Sequence, residues 1–176
     1  MLVILDRDGV INQDSDAYIK SLDEWHPIPG SIDAIARLSR HGFTVAIATN
    51  QSGLGRGLFE MDTLNAIHEK MIKAAAQVGG RIDAIFFCPH TNVDKCRCRK
   101  PRPGMFEEIA TRYNTDLAGV PAIGDALRDL KAAESVEAQP MLVLTGKGKK
   151  TEQDPELPAG TLIFPDLAAA VAYLTP

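Results

Sequence analysis

LVILDRDGV, residues 2–10, is a short apolar run that stops abruptly at two carboxylates and a glycine. Leu2 to Leu5 has the length and composition of a strand buried in a helix-covered sheet, and Asp6-Arg7-Asp8-Gly9 has the chemistry of a turn at its end. Runs of the same kind recur at Phe43 to Thr49, Ile82 to Phe87, Val120 to Ile123, Met141 to Leu144 and Thr161 to Phe164. Between them lie stretches of helical periodicity. Ser31 is placed to cap a helix with Ile32, Ile35, Ala36 and Leu38 on its apolar face and Gly42 at its end. A longer helix is expected from Glu60 to Val78, a third from Pro103 and Gly104 through Tyr113, a fourth from Ala126 to Glu134, and a last one capped by Asp166. Gly146 to Gly160 reads as a solvated loop. Alternating strands and helices predict a three-layer α/β, Rossmann-like domain with a mainly parallel central sheet.

Length and composition bound the rest. A chain of 176 residues is expected to form one domain, residues 1–176, with room for a small flap after Ile11 and none for a large inserted cap. The net charge of −4 argues against a general affinity for nucleic acid. No signal-length or membrane-length apolar run is present, so the expectation is a cytoplasmic monomer without a membrane partner.

The chemistry-bearing segments each follow an expected strand. Asp6 and Asp8 fall where an open parallel sheet places its ligand crevice, and a turn at Gly9 aims them differently, so that one can attack while the other handles protons. An isolated D-x-D-G reads more simply as a hydrogen-bonded turn. Thr49, Asn50, Gln51 and Ser52 precede the glycine-rich stretch Gly53 to Gly57, which offers phosphoryl oxygens small polar groups and free amides, or is a plain glycine turn. Arg99 and Lys100 are two cations beside the helix opening at Pro103, or a solvated basic turn. Asp125 ends another strand, with Asp129 one helical turn further on. Asp125 is a hard-oxygen donor able to complete a Mg²⁺ site begun by Asp6, or a helix cap.

Cys88, His90, Cys96 and Cys98 form C-x-H-x5-C-x-C. Four soft or borderline donors within residues 88–98 suit a closed, tetrahedral, structural Zn²⁺ better than a disulfide framework, the rival reading being ordinary unligated thiols. The clamp would sit directly before Arg99 and Lys100 and fix the loop that presents them.

DRDGV, ATNQSG, RKPRPG and GDALRD, in that order, resemble the four motifs of the haloacid dehalogenase-like phosphatase superfamily. That resemblance implies Asp6 as the nucleophile of an aspartyl-phosphate intermediate and Asp8 as proton donor and then base. It places Thr49 and Lys100 on the transferring phosphoryl group, Mg²⁺ on Asp6, the Asp8 main-chain carbonyl and Asp125, and Asp129 beside the metal shell. DRDGVIN, TNQSGLGRG, CPH with CRCRKPRPGM, and VLTGKG are similar to the phosphatases of D-glycero-D-manno-heptose 1,7-bisphosphate. This implies removal of the C7 phosphate on the route to nucleotide-activated heptose for lipopolysaccharide or related glycans. It also implies substrate contacts from Thr49 to Ser52, from Arg99 and Lys100, and from Asp14, Ser15, Asp16 and Ala17. The interval between the second and third zinc ligands is shorter than in many relatives, and Ala126 stands where relatives carry lysine.

Rival readings are a histidinol-phosphate phosphatase, a polynucleotide phosphatase and a catalytically silent, zinc-stabilised interaction module. His26, His41 and His68 belong to no motif and are read as surface or cap residues. Trp25 is read as packing near the entrance, and GKGKKT lacks the register of a nucleotide-binding loop.

Overall fold

The computed structural model describes residues 1–176. Six strands, β1 (Leu2–Leu5), β2 (Thr44–Asn50), β3 (Ala84–Cys88), β4 (Pro121–Gly124), β5 (Gln139–Val143) and β6 (Leu162–Phe164), form one sheet in the order β3-β2-β1-β4-β5-β6. Every neighbouring pair is parallel, with Leu5 opposite both Ile47 and Ile123. Seven helices connect them: α1 (Ser31–Arg40), α2 (Ser52–Gly55), α3 (Met61–Gln77), α4 (Gly104–Tyr113), α5 (Leu127–Ser135), α6 (Gly148–Glu152) and α7 (Leu167–Leu174).

Successive strand residues point to opposite faces, and each face meets its own helices. Val3, Leu5, Val45, Ile47, Met141 and Val143 pack against Ile35 and Leu38 of α1, Ile67 and Met71 of α3, and Val171 of α7. Ile4, Ala46, Ala48 and Ala122 face the other way, onto Met105, Phe106 and Ile109 of α4 and Ala132 and Ala133 of α5. The result is the expected three layers. The chain crosses from one half of the sheet to the other between β3 and β4, so β1 and β4 adjoin at the switch point where such sheets bind ligands. No segment forms a large cap, and no helix is long and apolar enough to cross a membrane.

Several local expectations are corrected. Gly30, not Ser31, caps α1; Ser31 is its first residue, and its buried hydroxyl donates to the Ile11 carbonyl at 2.6 Å. β3 begins two residues late because the Asp83 side chain accepts from the Val45 amide (2.8 Å) at the strand's entrance. The expected loop from Gly146 contains α6, and the expected glycine-rich turn contains α2. Trp25 is not at an entrance: it is 1% exposed in the core, with the Lys70 ammonium 5.6 Å from its ring centre. His68 is buried, whereas His26 is exposed and His41 ends α1.

Candidate active site

Asp6 and Asp8 leave β1 in different directions because Gly9 turns the chain with φ +81°. The Arg7 carbonyl accepts from the amides of Val10, Ile11 and Asn12, which closes the turn. Asp6 is nearly buried, and its Oδ1 lies 3.0 Å from the Lys100 ammonium. Asp8 faces a pocket of about 190 Å³, also lined by Asp6, Asp14, Ser15, Asp16, Tyr18, Asn50, Gln51, Ser52, Arg99, Arg128 and Lys147.

Lys100 is held on three sides. Its ammonium donates to the Ala48 carbonyl at 2.6 Å and lies 2.7 Å from Asp129 Oδ1 as well as beside Asp6. Its backbone is tied to β2 by a reciprocal pair, in which the Lys100 amide donates to Asn50 Oδ1 (3.0 Å) and Asn50 Nδ2 donates to the Lys100 carbonyl (3.1 Å). Lys100 is 2% exposed and does not line the pocket, so its charge acts from behind Asp6. Thr49 is also buried off the pocket wall and accepts from Gln51 Nε2 at 2.9 Å. Of the flap residues, Asp14, Ser15 and Asp16 line the pocket, while Ala17 faces outward.

Asp6, Asp125 and Asp129 bring carboxylate oxygens within 4.8 Å of one another. Burial, then Asp129, push Asp6 up to about 6; burial, Asp129 and Asp6 push Asp125 up to about 8. Lys100 and Arg128 outweigh the burial of Asp129 and hold it low. Asp125 does not cap α5. The cap is Ala126, whose amide donates to Asp129 Oδ2 at 3.0 Å. One Asp125 oxygen, Oδ2, accepts from the Lys147 amide at 2.8 Å, whereas buried Oδ1 has no partner. A buried, orphaned carboxylate oxygen among acidic neighbours fits a hard divalent cation. The Asp8 side chain is outside this cluster, its acidity set elsewhere. Against its burial, Arg7, Asn12 and Gln51 hold Asp8 low.

The cysteine loop forms a second cluster. Cys88 Sγ lies 3.6 Å from Cys96 Sγ and 3.6 Å from His90 Nδ1, which is 3.3 Å from Cys98 Sγ. Ligands at tetrahedral zinc distances stand about 3.6–3.8 Å apart, so two of these separations match and the third is slightly shorter. The loop also holds Arg99, whose Nη1 donates to the His90 carbonyl at 3.3 Å and whose Nε donates to Asn92 at 2.7 Å.

Motif reading missed Arg7, Asn12, His68, Arg128 and Lys147. Arg128 lies two positions past Ala126 and puts a cation on the pocket wall that Ala126 does not supply. Lys147 belongs to the GKGKKT stretch set aside for its register. Its amide holds Asp125, and its ammonium pairs with Asp14 across the pocket mouth. Flanking it, Thr145 Oγ1 donates to the Gly9 carbonyl at 2.6 Å and Thr151 Oγ1 to the Asp125 carbonyl at 2.7 Å.

A HAD-hydrolase-like family model matches residues 97–170. The chain is 61% identical to a D-glycero-β-D-manno-heptose-1,7-bisphosphate 7-phosphatase of Bordetella bronchiseptica, covering 98% of this chain and 97% of the relative. An enzyme of the same name from Pseudomonas aeruginosa is 56% identical over 98% of this chain and 97% of its own. The crystal structure of the B. bronchiseptica D,D-heptose 1,7-bisphosphate phosphatase, complexed with magnesium and phosphate, superimposes with a TM-score of 0.97, at 61% identity and over 98% and 97% of the two chains. With these relatives, the chain belongs to the haloacid dehalogenase-like phosphatases.

Proposed function

We propose that the chain hydrolyses the C7 phosphate of D-glycero-D-manno-heptose 1,7-bisphosphate, as the β anomer for which its relatives are named, in the synthesis of nucleotide-activated heptose for lipopolysaccharide or related glycans. The observation that carries this reading is a near-complete alignment at 61% identity with a phosphatase of that name, joined to a pocket that has Asp6 and Asp8 among its lining residues.

Asp6 attacks phosphorus and the ester oxygen leaves, giving an aspartyl-phosphate. Asp8 passes its proton to that oxygen and then takes one from the water that cleaves the acyl phosphate. The proton affinity of Asp8 is low in the free protein, and a dianionic phosphate beside it raises that affinity when the acid form is needed. Arg99, Arg128 and Lys147 offer cations to the second phosphate, and Asp14 to Asp16 offer acceptors to sugar hydroxyls. Magnesium, held by Asp6, Asp125 and the Asp8 main-chain carbonyl, supplies the positive charge that lets an anionic nucleophile approach an anionic ester. The chain acts as one domain and as a cytoplasmic monomer on this small substrate.

The test is catalytic efficiency on heptose bisphosphate, histidinol phosphate and a 5′-phosphorylated oligonucleotide. The heptose ester should lead by at least about 10²-fold, since a misfitted substrate leaves buried polar groups unpaired. Preference for histidinol phosphate would overturn the substrate assignment.

A second measurement addresses the metal. Without the ion, Asp6 and Asp125 bind protons more tightly than free aspartate, at about 6 and about 8. Stability contributed by their protonated forms is full below about pH 4 and is lost as pH rises through those values. Magnesium should therefore raise the thermal midpoint more at pH 8 than at pH 5.5, by several degrees, where about 2–4 °C corresponds to 1 kcal/mol. An equal shift at both pH values would argue against these ligands.

Cys88, His90, Cys96 and Cys98 hold structural zinc in this reading, and the bonds from Arg99 to the His90 carbonyl and Asn92 connect that clamp to the pocket. Stripping zinc and restoring magnesium should lower the melting midpoint and raise KM for the bisphosphate about 10-fold, with a smaller fall in kcat. An unchanged KM would break the link between clamp and substrate.

A further inference from the structure

We propose that His68, on α3, is a positioning residue: through Arg7 it fixes which oxygen of Asp8 faces the leaving group. Arg7 is fully buried at the exit of β1. Its Nε and Nη2 fork onto Asp8 Oδ1 at 3.0 and 2.8 Å, while Nη1 lies 3.1 Å from His68 Nε2. Asn12 Nδ2 adds a third donor to the same oxygen at 2.9 Å. Asp8 Oδ2 meets one protein donor, Gln51 Nε2, at 3.1 Å.

These contacts differentiate the two oxygens of one carboxylate. Oδ1 is saturated by donors that favour negative charge, so a proton resides on Oδ2. The arrangement holds only while Arg7 stays put. A buried guanidinium needs an acceptor for each face, and Nη1 has no side-chain acceptor other than His68. Since guanidinium only donates, Nε2 must accept, which places the imidazole hydrogen on Nδ1. Burial and the neighbouring Arg7 hold His68 down to about 4, so it remains the neutral acceptor at working pH.

The inference rests on Asp8 as the acid that protonates the leaving oxygen, and the test separates the two claims. As Asp6 bonds to phosphorus, the phosphorus–ester oxygen bond breaks and that oxygen takes the Oδ2 proton. An alkoxide leaving group needs this proton, whereas p-nitrophenolate leaves with little help. kcat/KM, which reports the step in which the ester bond breaks, is measured with magnesium on phosphate monoesters of graded leaving-group acidity, from the sugar ester to p-nitrophenyl phosphate. Asp8→Asn supplies the reference slope.

His68→Leu removes the acceptor and should lower kcat/KM on the sugar ester about 30-fold or more and on p-nitrophenyl phosphate less than about 3-fold, a part of the roughly 10²–10⁴ that a placed acid provides. His68→Gln sets an amide oxygen near the position of Nε2 and should restore most of the sugar-ester rate. Arg7→Lys keeps the charge, loses the fork and should share the steep dependence, and it serves if His68→Leu does not fold. A loss independent of leaving group in His68→Leu or Arg7→Lys, beside a steep Asp8→Asn reference, overturns the positioning role. A flat Asp8→Asn reference overturns the acid assignment on which it stands.

Discussion

Asp6→Asn is expected to lower turnover by at least about 10⁴-fold while leaving the fold intact, because an amide cannot take the nucleophile's role proposed for Asp6, and its loss leaves only binding and electrostatic assistance. The stability half of this expectation follows from the site. Asp6 lies buried beside Asp129 and Asp8, and its acidity, weakened to about 6, says that its charge is unfavourable in the folded metal-free protein. A neutral amide of the same shape relieves that crowding. Lys100 keeps Asp129 at 2.7 Å and the Ala48 carbonyl at 2.6 Å. The metal-free thermal midpoint at pH 8 should therefore be no lower than that of the wild type, whereas the stabilisation by magnesium should shrink. Substantial turnover by the purified variant would remove Asp6 from its role.

Gly146→Ala should also damage activity, although residue 146 lies outside all four motifs. Gly146 has φ +54°, and a methyl group there would stand 2.2 Å from Asp125 Oδ2 and 2.6 Å from the Gly9 Cα. The backbone of the β1 turn cannot yield, so Asp125 must move. The bond from the Lys147 amide that leaves Oδ1 free would be lost with it. Displacements of about 1 Å at a reacting centre can cost 10²-fold, and turnover is expected to fall by at least that much. The strained φ and the overlap together should cost about 2–4 kcal/mol of stability. Wild-type magnesium response and turnover in this variant would mean that the turn does not support Asp125.

Much of this was legible in the chain. Each of the six apolar runs overlaps a strand because burial on both faces of a parallel sheet erases alternation and leaves a compact signal. The cysteine and histidine cluster and the reciprocal Asn50 and Lys100 pair lie in or beside motifs. What was illegible came from convergence. His68 reaches Arg7 across 61 residues and Lys147 reaches Asp14 across 133, contacts created by sheet order and helix placement rather than by spacing. Periodicity also says nothing of direction, so a basic residue between two aspartates gave no sign that it points into the protein. Thr49, Lys100 and Ala17 show the converse. Their positions in sequence suggested the pocket, and burial or outward orientation keeps them off its wall.

The three-sided anchoring of Lys100 has a consequence for how the reaction coordinate meets its surroundings. A solvated ammonium, or one on a free stem, must swing and shed water as charge shifts from ester to nucleophile. This one is already desolvated and oriented before substrate arrives, so its field is preorganised and little reorganisation remains for the chemical step.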